Sequence, residues 1–156
     1  MVHEFVNDEI ADDIQNASDS IKAYATRYIN DGDIVLTYSK SYAVSHFLQE
    51  ANSSNGSNNR IRVICCETFP VLSGQEFVLE LANKGIKSYL IHDAAAYSVM
   101  SLCSKVVIGC HAILANGGVL VPSGGSNIVM AAKQFKVPVI VLSGMYKVVL
   151  MYSFDD

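Results

Sequence analysis

A chain of 156 residues, 51% apolar and only 17% charged, has the size of one domain with a true core and is greasier than an average soluble domain. Its formal charge of -4 and the lack of any long lysine or arginine run speak against direct binding to a nucleic-acid backbone, which needs a basic face. Cys65, Cys66, Cys103 and Cys110 have no CxxC spacing and MVHEFVNDEI is too acidic for a signal peptide, so no zinc site and no export are expected, and free thiols in the cytoplasm fit best.

Ile10, Ile14, Ala17, Ile21, Ala25, Tyr28 and Ile29 recur at helical steps and predict one apolar helix face. Asp8, Asp12 and Asp13 favour its start and Gly32 its end. Residues 1–32 are therefore expected to form a helical segment, and residues 33–156 one α/β unit.

In that unit Asp33 to Thr37 reads as a strand. Tyr42, Val44, Phe47, Leu48 and Ala51 mark a helix, and Asn52 to Asn59 a polar loop. Ile61 to Cys66 is the next strand. Ser73-Gly74-Gln75-Glu76 has the form of a capping box, opening a helix that buries Phe77, Val78, Leu81 and Ala82 and stops at Gly85. Ile86 to Ile91 is a strand, and Asp93 is placed to cap a helix from Ala94 to Leu102.

Val106 to Ala132 carries no Asp, Glu, Lys or Arg, a length that would suit a membrane helix. Asn116-Gly117-Gly118 and Pro122-Ser123-Gly124-Gly125 interrupt it with turn chemistry. Buried strands and turns are expected there: a strand from Lys105 to Gly109 and a tight turn at Asn116-Gly117. Ser126 to Phe135 then gives a helix and Val137 to Leu142 a final strand. The alternation predicts a Rossmann-like fold, a mostly parallel sheet with helices on both faces.

Ligands of such folds bind beyond the carboxyl ends of the strands. That rule selects Tyr38 and Ser39, Glu67 and Thr68, His92 and Asp93, and Cys110 and His111. Cys110, His111 and Asp93 invite a nucleophile, base and acid. However, neighbours on an extended chain face opposite ways, so a buried thiol and a half-exposed imidazole are the simpler expectation. The Ser123 to Ser126 loop lacks the lysine of a P-loop, and a structural turn is the simpler role for Gly124.

From about Asp33 onward the chain resembles the family that unites the alpha, beta and delta subunits of initiation factor 2B with two sugar-phosphate isomerases. These isomerases act on methylthioribose-1-phosphate and ribose-1,5-bisphosphate. The stretches that carry the likeness are Glu67-Thr68-Phe69-Pro70 with Ser73-Gly74, Asp93-Ala94-Ala95, Val106 to Gly109, Ala115 to Gly118, and Gly124 with Ala131-Ala132-Lys133. Each is short, but their order and spacing together are specific. Ser98 to Ser101, Leu114 to Gly118 and Gly144 to Lys147 are most like the beta branch. The family's helical N-terminal domain is mostly absent from the sequence, and so is the usual end of its Rossmann-like domain.

The resemblance implies a relic pocket of Ser39, Phe69, Asp93, Cys110, His111, Gly118, Pro122 and Gly124. Isomerases of the family have a cysteine at the place of Ser39 and aspartates at those of His111 and Gly118. They have an arginine at the place of Phe69 and a lysine at that of Pro122. Serine is a weak nucleophile without an activating base, and Phe69 and Pro122 cannot grip a phosphate. No catalysis and no cofactor are implied. The resemblance implies instead a regulatory subunit that pairs with the delta and alpha subunits, or with a second copy in isolation. It would sense phosphorylated initiation factor 2, and an apolar Val148 to Phe154 would suit a partner. A sugar-phosphate isomerase, or a regulator with a relic small-molecule site, is the rival expectation.

Overall fold

The computed structural model describes residues 24–25, 27–53, 61–144 and 147–149. Five strands form one parallel sheet: β1 (Ile34–Tyr38), β2 (Arg62–Cys66), β3 (Lys87–Ile91), β4 (Lys105–Gly109) and β7 (Val139–Leu142). Their spatial order is β3-β2-β1-β4-β7. The chain thus moves outward from β1 in one direction, returns, and moves outward in the other. The reversal lies between β1 and β4, where an open sheet of this kind offers a crevice.

Period-two alternation sorts the strand side chains onto two covered faces. On one face Val35, Val63, Cys65 and Val107 pack with Val44, Phe47 and Leu48 of α1 (Tyr42–Ser53) and Phe77 and Leu81 of α2 (Ser73–Asn83). On the other, Leu36, Tyr38, Cys66, Val106 and Ile108 pack with Ala96 of α3 (Ala96–Val99), Met100, and Ile128, Ala131 and Ala132 of α4 (Gly125–Gln134). Helices cover both faces, as the alternation of the sequence implies. Among the described residues no helix is long and apolar enough to cross a membrane.

A smaller sheet stands apart, in the order β6-β5-β8, with β5 (Ala112–Leu114), β6 (Val119–Leu120) and β8 (Val148–Val149). β5 and β6 are the arms of the expected hairpin. Gly117, at φ 83°, supplies the left-handed residue that turn requires.

Several local expectations are corrected. Ser73 does not cap α2: that position is held by Leu72 in the left-handed region at φ 57°, with no side-chain cap. Glu76 pairs with Lys40 at 3.3 Å instead of closing a capping box. Asp93 does not cap its own helix either, because its carboxylate is taken by two backbone N–H groups further along the rim. The helix expected from Ala94 to Leu102 is broken into a 3-10 turn, the single α turn of α3, and a second 3-10 turn. Asn52 belongs to α1 and is buried, its amide aimed at the Gly85 carbonyl. Tyr28, Tyr42 and Ala82 lie exposed outside the core. The strand after α4 begins two residues later than expected and is followed by β8.

Of the expected N-terminal helix, residues 24, 25, 27 and 28 are helical, and Ala25 and Ile29 are buried against the α1 and α2 face. The rest of that helix lies outside the described residues, as do most of the expected polar loop and the end of the apolar tail.

Candidate functional site: a crevice at the sheet switch point

The strand registers bring Tyr38, Cys66 and Ile91 level at the ends of β1, β2 and β3, and Gly109 and Leu142 level at the ends of β4 and β7. The residues that follow them form one rim. Backbone strain is concentrated there: Ser39, Thr68 and Leu72 have φ of 65°, 62° and 57°, where non-glycine residues are rare.

Polar side chains hold that strained backbone. The Asp93 carboxylate accepts the Thr68 N–H at 2.9 Å and the Phe69 N–H at 2.8 Å. Thr68 Oγ1 accepts the Ser39 N–H at 3.0 Å and lies 3.3 Å from the Cys66 carbonyl, to which it donates. Ser73 Oγ stands 3.4 Å from Ser39 Oγ and accepts the Lys40 N–H at 3.4 Å. His92 Nδ1 meets Glu67 Oε2 at 2.8 Å. The ends of β1, β2 and β3 are stitched together by these contacts.

Two cavities open on the rim, and Tyr38 is a wall of each. The smaller, about 190 Å³, is lined by Ser39, Lys40, Gly109, Cys110, His111, Pro122 and Lys147 among others. The larger, about 330 Å³, is lined by Phe69, Asp93, Ala94, Ser123, Gly124, Asn127 and Ile128. Ser39, Cys110, His111 and Pro122 are therefore brought together in one, and Phe69, Asp93 and Gly124 in the other. Gly118 lines neither: it sits in the β5–β6 turn, its N–H on Asn116 Oδ1 at 3.0 Å.

Cys110 and His111 diverge as an extended chain dictates. Cys110 is buried, its thiol 3.9 Å from the Leu142 carbonyl, whereas His111 is exposed and anchored by its N–H to Leu120. The Cys110 carbonyl accepts the Lys147 ammonium at 2.6 Å. The other cysteines are no better as nucleophiles. Burial, reinforced by Cys66, pushes the Cys65 thiol up to about 12; burial, reinforced by Asp93, Cys103 and Glu67, does the same to Cys66. Burial takes Cys103 to about 11. All three stay as unreactive thiols near neutral pH.

Phe69 is 70% exposed where a phosphate-gripping cation would be needed. Lys40, on the smaller cavity, faces Glu76 at 3.3 Å and Glu80 at 3.9 Å. Lys40, Lys147 and Asn127 gave no sequence signal for the crevice, since none stands in a binding motif. Tyr38 was marked by its place at the end of the first strand, but its contact with the turn before α4 was hidden, because only the fold puts the end of β1 beneath that helix.

A parallel sheet in this order, covered on both faces and open at its switch point, defines a Rossmann-like domain. The sequence matches the model of the initiation factor 2 subunit family over residues 5–156, and the chain belongs to that family. It is 34% identical over 148 residues to the translation initiation factor eIF2B subunit beta of Dictyostelium discoideum, covering 95% of this chain and 37% of the relative. To the protein of the same name in Schizosaccharomyces pombe it is 32% identical over 149 residues, covering 94% and 37%. A chain of the tetrameric eIF2B-beta2-delta2 complex from C. thermophilum superposes with a TM-score of 0.79 at 31% identity, covering 95% of this chain and 49% of that one. The chain thus spans little more than a third of the length of the curated relatives it matches.

Proposed function

We propose that this chain works as a regulatory, non-catalytic subunit of the guanine nucleotide exchange complex for translation initiation factor 2. In this reading it pairs with delta and alpha subunits and senses phosphorylated initiation factor 2. In the same reading residues 1–32 lead into the Rossmann-like unit of residues 33–156. Action by differential binding to two partner states requires no reacting group.

One observation carries the reading: the polar side chains that hold the rim are committed to its own backbone and to one another. Asp93 holds two N–H groups, Ser39 has only another hydroxyl within reach, and Phe69 and Pro122 present no charge. Electrostatic stabilisation of a reacting sugar phosphate needs donors and cations aimed at it. The name of the C. thermophilum complex supports a delta-type subunit as first partner.

The test has two arms. Immobilised chain is expected to capture the delta subunit, and recovery of none at micromolar concentration would count against the proposal. Incubation with ribose-1,5-bisphosphate or methylthioribose-1-phosphate is expected to give no isomerised product. Turnover abolished by Ser39→Ala or His111→Ala would replace this reading with the isomerase one.

A further inference from the structure

Tyr38 stands where a ligand of such a fold would have to lie. It is the last residue of β1, 3% exposed, and it separates the two cavities of about 190 and 330 Å³. Its hydroxyl donates to the Ser123 carbonyl at 2.5 Å, so its ring lies beneath the turn that leads into α4. A Cβ added to Gly124 would fall 2.2 Å from that hydroxyl and 3.0 Å from the ring carbon bearing it. Gly124 has φ 91° and begins α4 with no side-chain cap. The fit leaves no room between ring and turn. In open α/β sheets the ligand enters at the switch point and sets its charge against a helix start like this one.

We propose that Tyr38 is a built-in plug: its side chain fills the ligand position of the switch-point crevice, and its hydroxyl latches the Pro122–Gly125 turn to β1. The crevice is thereby divided from within into the two smaller cavities, and the position between them is taken by the ring. Burial, helped by Asp93 and Cys66, pushes the Tyr38 hydroxyl above its ordinary 10.0, so the latch keeps its proton through the neutral range. The plug also explains why a glycine stands at 124. The proposal deepens the non-catalytic reading and rests on it only in treating the crevice as having no substrate of its own.

The experiment uses the full chain as wild type, Tyr38→Ala and Tyr38→Phe, with phenol as the probe. Removing the ring joins the two cavities, and a lined void of side-chain size takes up a matching small molecule. Tyr38→Ala is expected to lower Tm by about 10 °C. Phenol at about 10 mM is expected to restore several degrees to Tyr38→Ala, by binding only its folded state, and to leave wild type and Tyr38→Phe unmoved. An equal response in wild type and Tyr38→Ala, or none in a folded Tyr38→Ala, overturns the plug.

Tyr38→Phe keeps the ring and loses the latch, and it decides the matter if Tyr38→Ala does not fold. The N–H groups of Asn127 and Ile128 bond the Gly124 carbonyl. Their hydrogen exchange is expected to quicken about tenfold in Tyr38→Phe, while β1 and β2 stay as protected as in wild type. Unchanged exchange at those two amides refutes the latch. Delta-subunit capture is scored separately, so that either idea can fail alone.

Discussion

Two acidic residues, Asp93 and Asp33, show how a single carboxylate organises this molecule. Asp93 holds the Thr68 and Phe69 N–H groups, and a hydrogen bond to a charged acceptor contributes about 1.5–3 kcal/mol. Asp93→Ala is expected to destabilise by about 2–4 kcal/mol, while Asp93→Asn, which keeps one acceptor oxygen, should lose about half as much; urea unfolding of both measures the difference. Asp33 accepts the Lys105 ammonium and the Asn30 N–H. Burial pulls its carboxyl upward, but these bonds prevail and hold it below its ordinary 3.8. A lowered folded-state value means that the stabilisation is fully present above the ordinary 3.8 and is lost as pH falls through the folded-state value. Lys105→Met is expected to cost about 2–4 kcal/mol at pH 7, and the gap from wild type should narrow below about pH 4. A gap that is constant from pH 7 to pH 3 would contradict the pairing.

At the scale of elements, the join between β2 and α2 is the tightest. A Cβ on Gly74 would sit 1.9 Å from the Cys66 carbonyl oxygen, which is backbone and cannot step aside. Gly74→Ala is therefore expected to cost about 4 kcal/mol or more. Gly32 has open space around it, so Gly32→Ala should cost only about 1–2 kcal/mol, from its left-handed backbone. Thermal unfolding of the pair checks the order. Five of the strands were legible in the sequence: β1 and β4, buried at the centre of the sheet, read as nearly unbroken apolar runs, whereas the half-exposed edge strand β3 was marked by the glycine that ends the helix before it. The ends of helices were not. Ser73 and Asp93 have the chemistry of caps, but tertiary contacts had a stronger claim: Ser73 on the Lys40 N–H, Asp93 on the Thr68 loop. Likewise Ala94 to Leu102 has helical composition, and the 3-10 turns at its two ends depend on packing that no local pattern records.

For the whole molecule, the sheet order makes the crevice, and motif order makes the family legible from the sequence alone. Which residues would share a cavity was not legible. Ser39 and Pro122 are distant in sequence yet share a cavity, whereas Gly118 falls outside both together with the rest of its Ala115 to Gly118 motif. The turn between β2 and α2 also leaves an apolar rim tip at Phe69 and Val71, 70% and 78% exposed. Phe69→Ser is expected to leave Tm within about 1 °C, since an exposed side chain contributes little to folding. A drop as large as that of a core truncation would mean that the tip is packed after all.

The placement of β1 at the centre of the sheet has a consequence during synthesis. One of its edges is satisfied by β2, but the other waits for β4: Val35 pairs with Lys105, 70 residues later. At about 5–20 residues per second on the ribosome, that edge stays bare for on the order of 10 s. An unpaired apolar strand invites misassociation over such an interval, so newly made chain should depend on chaperones until its fourth strand emerges.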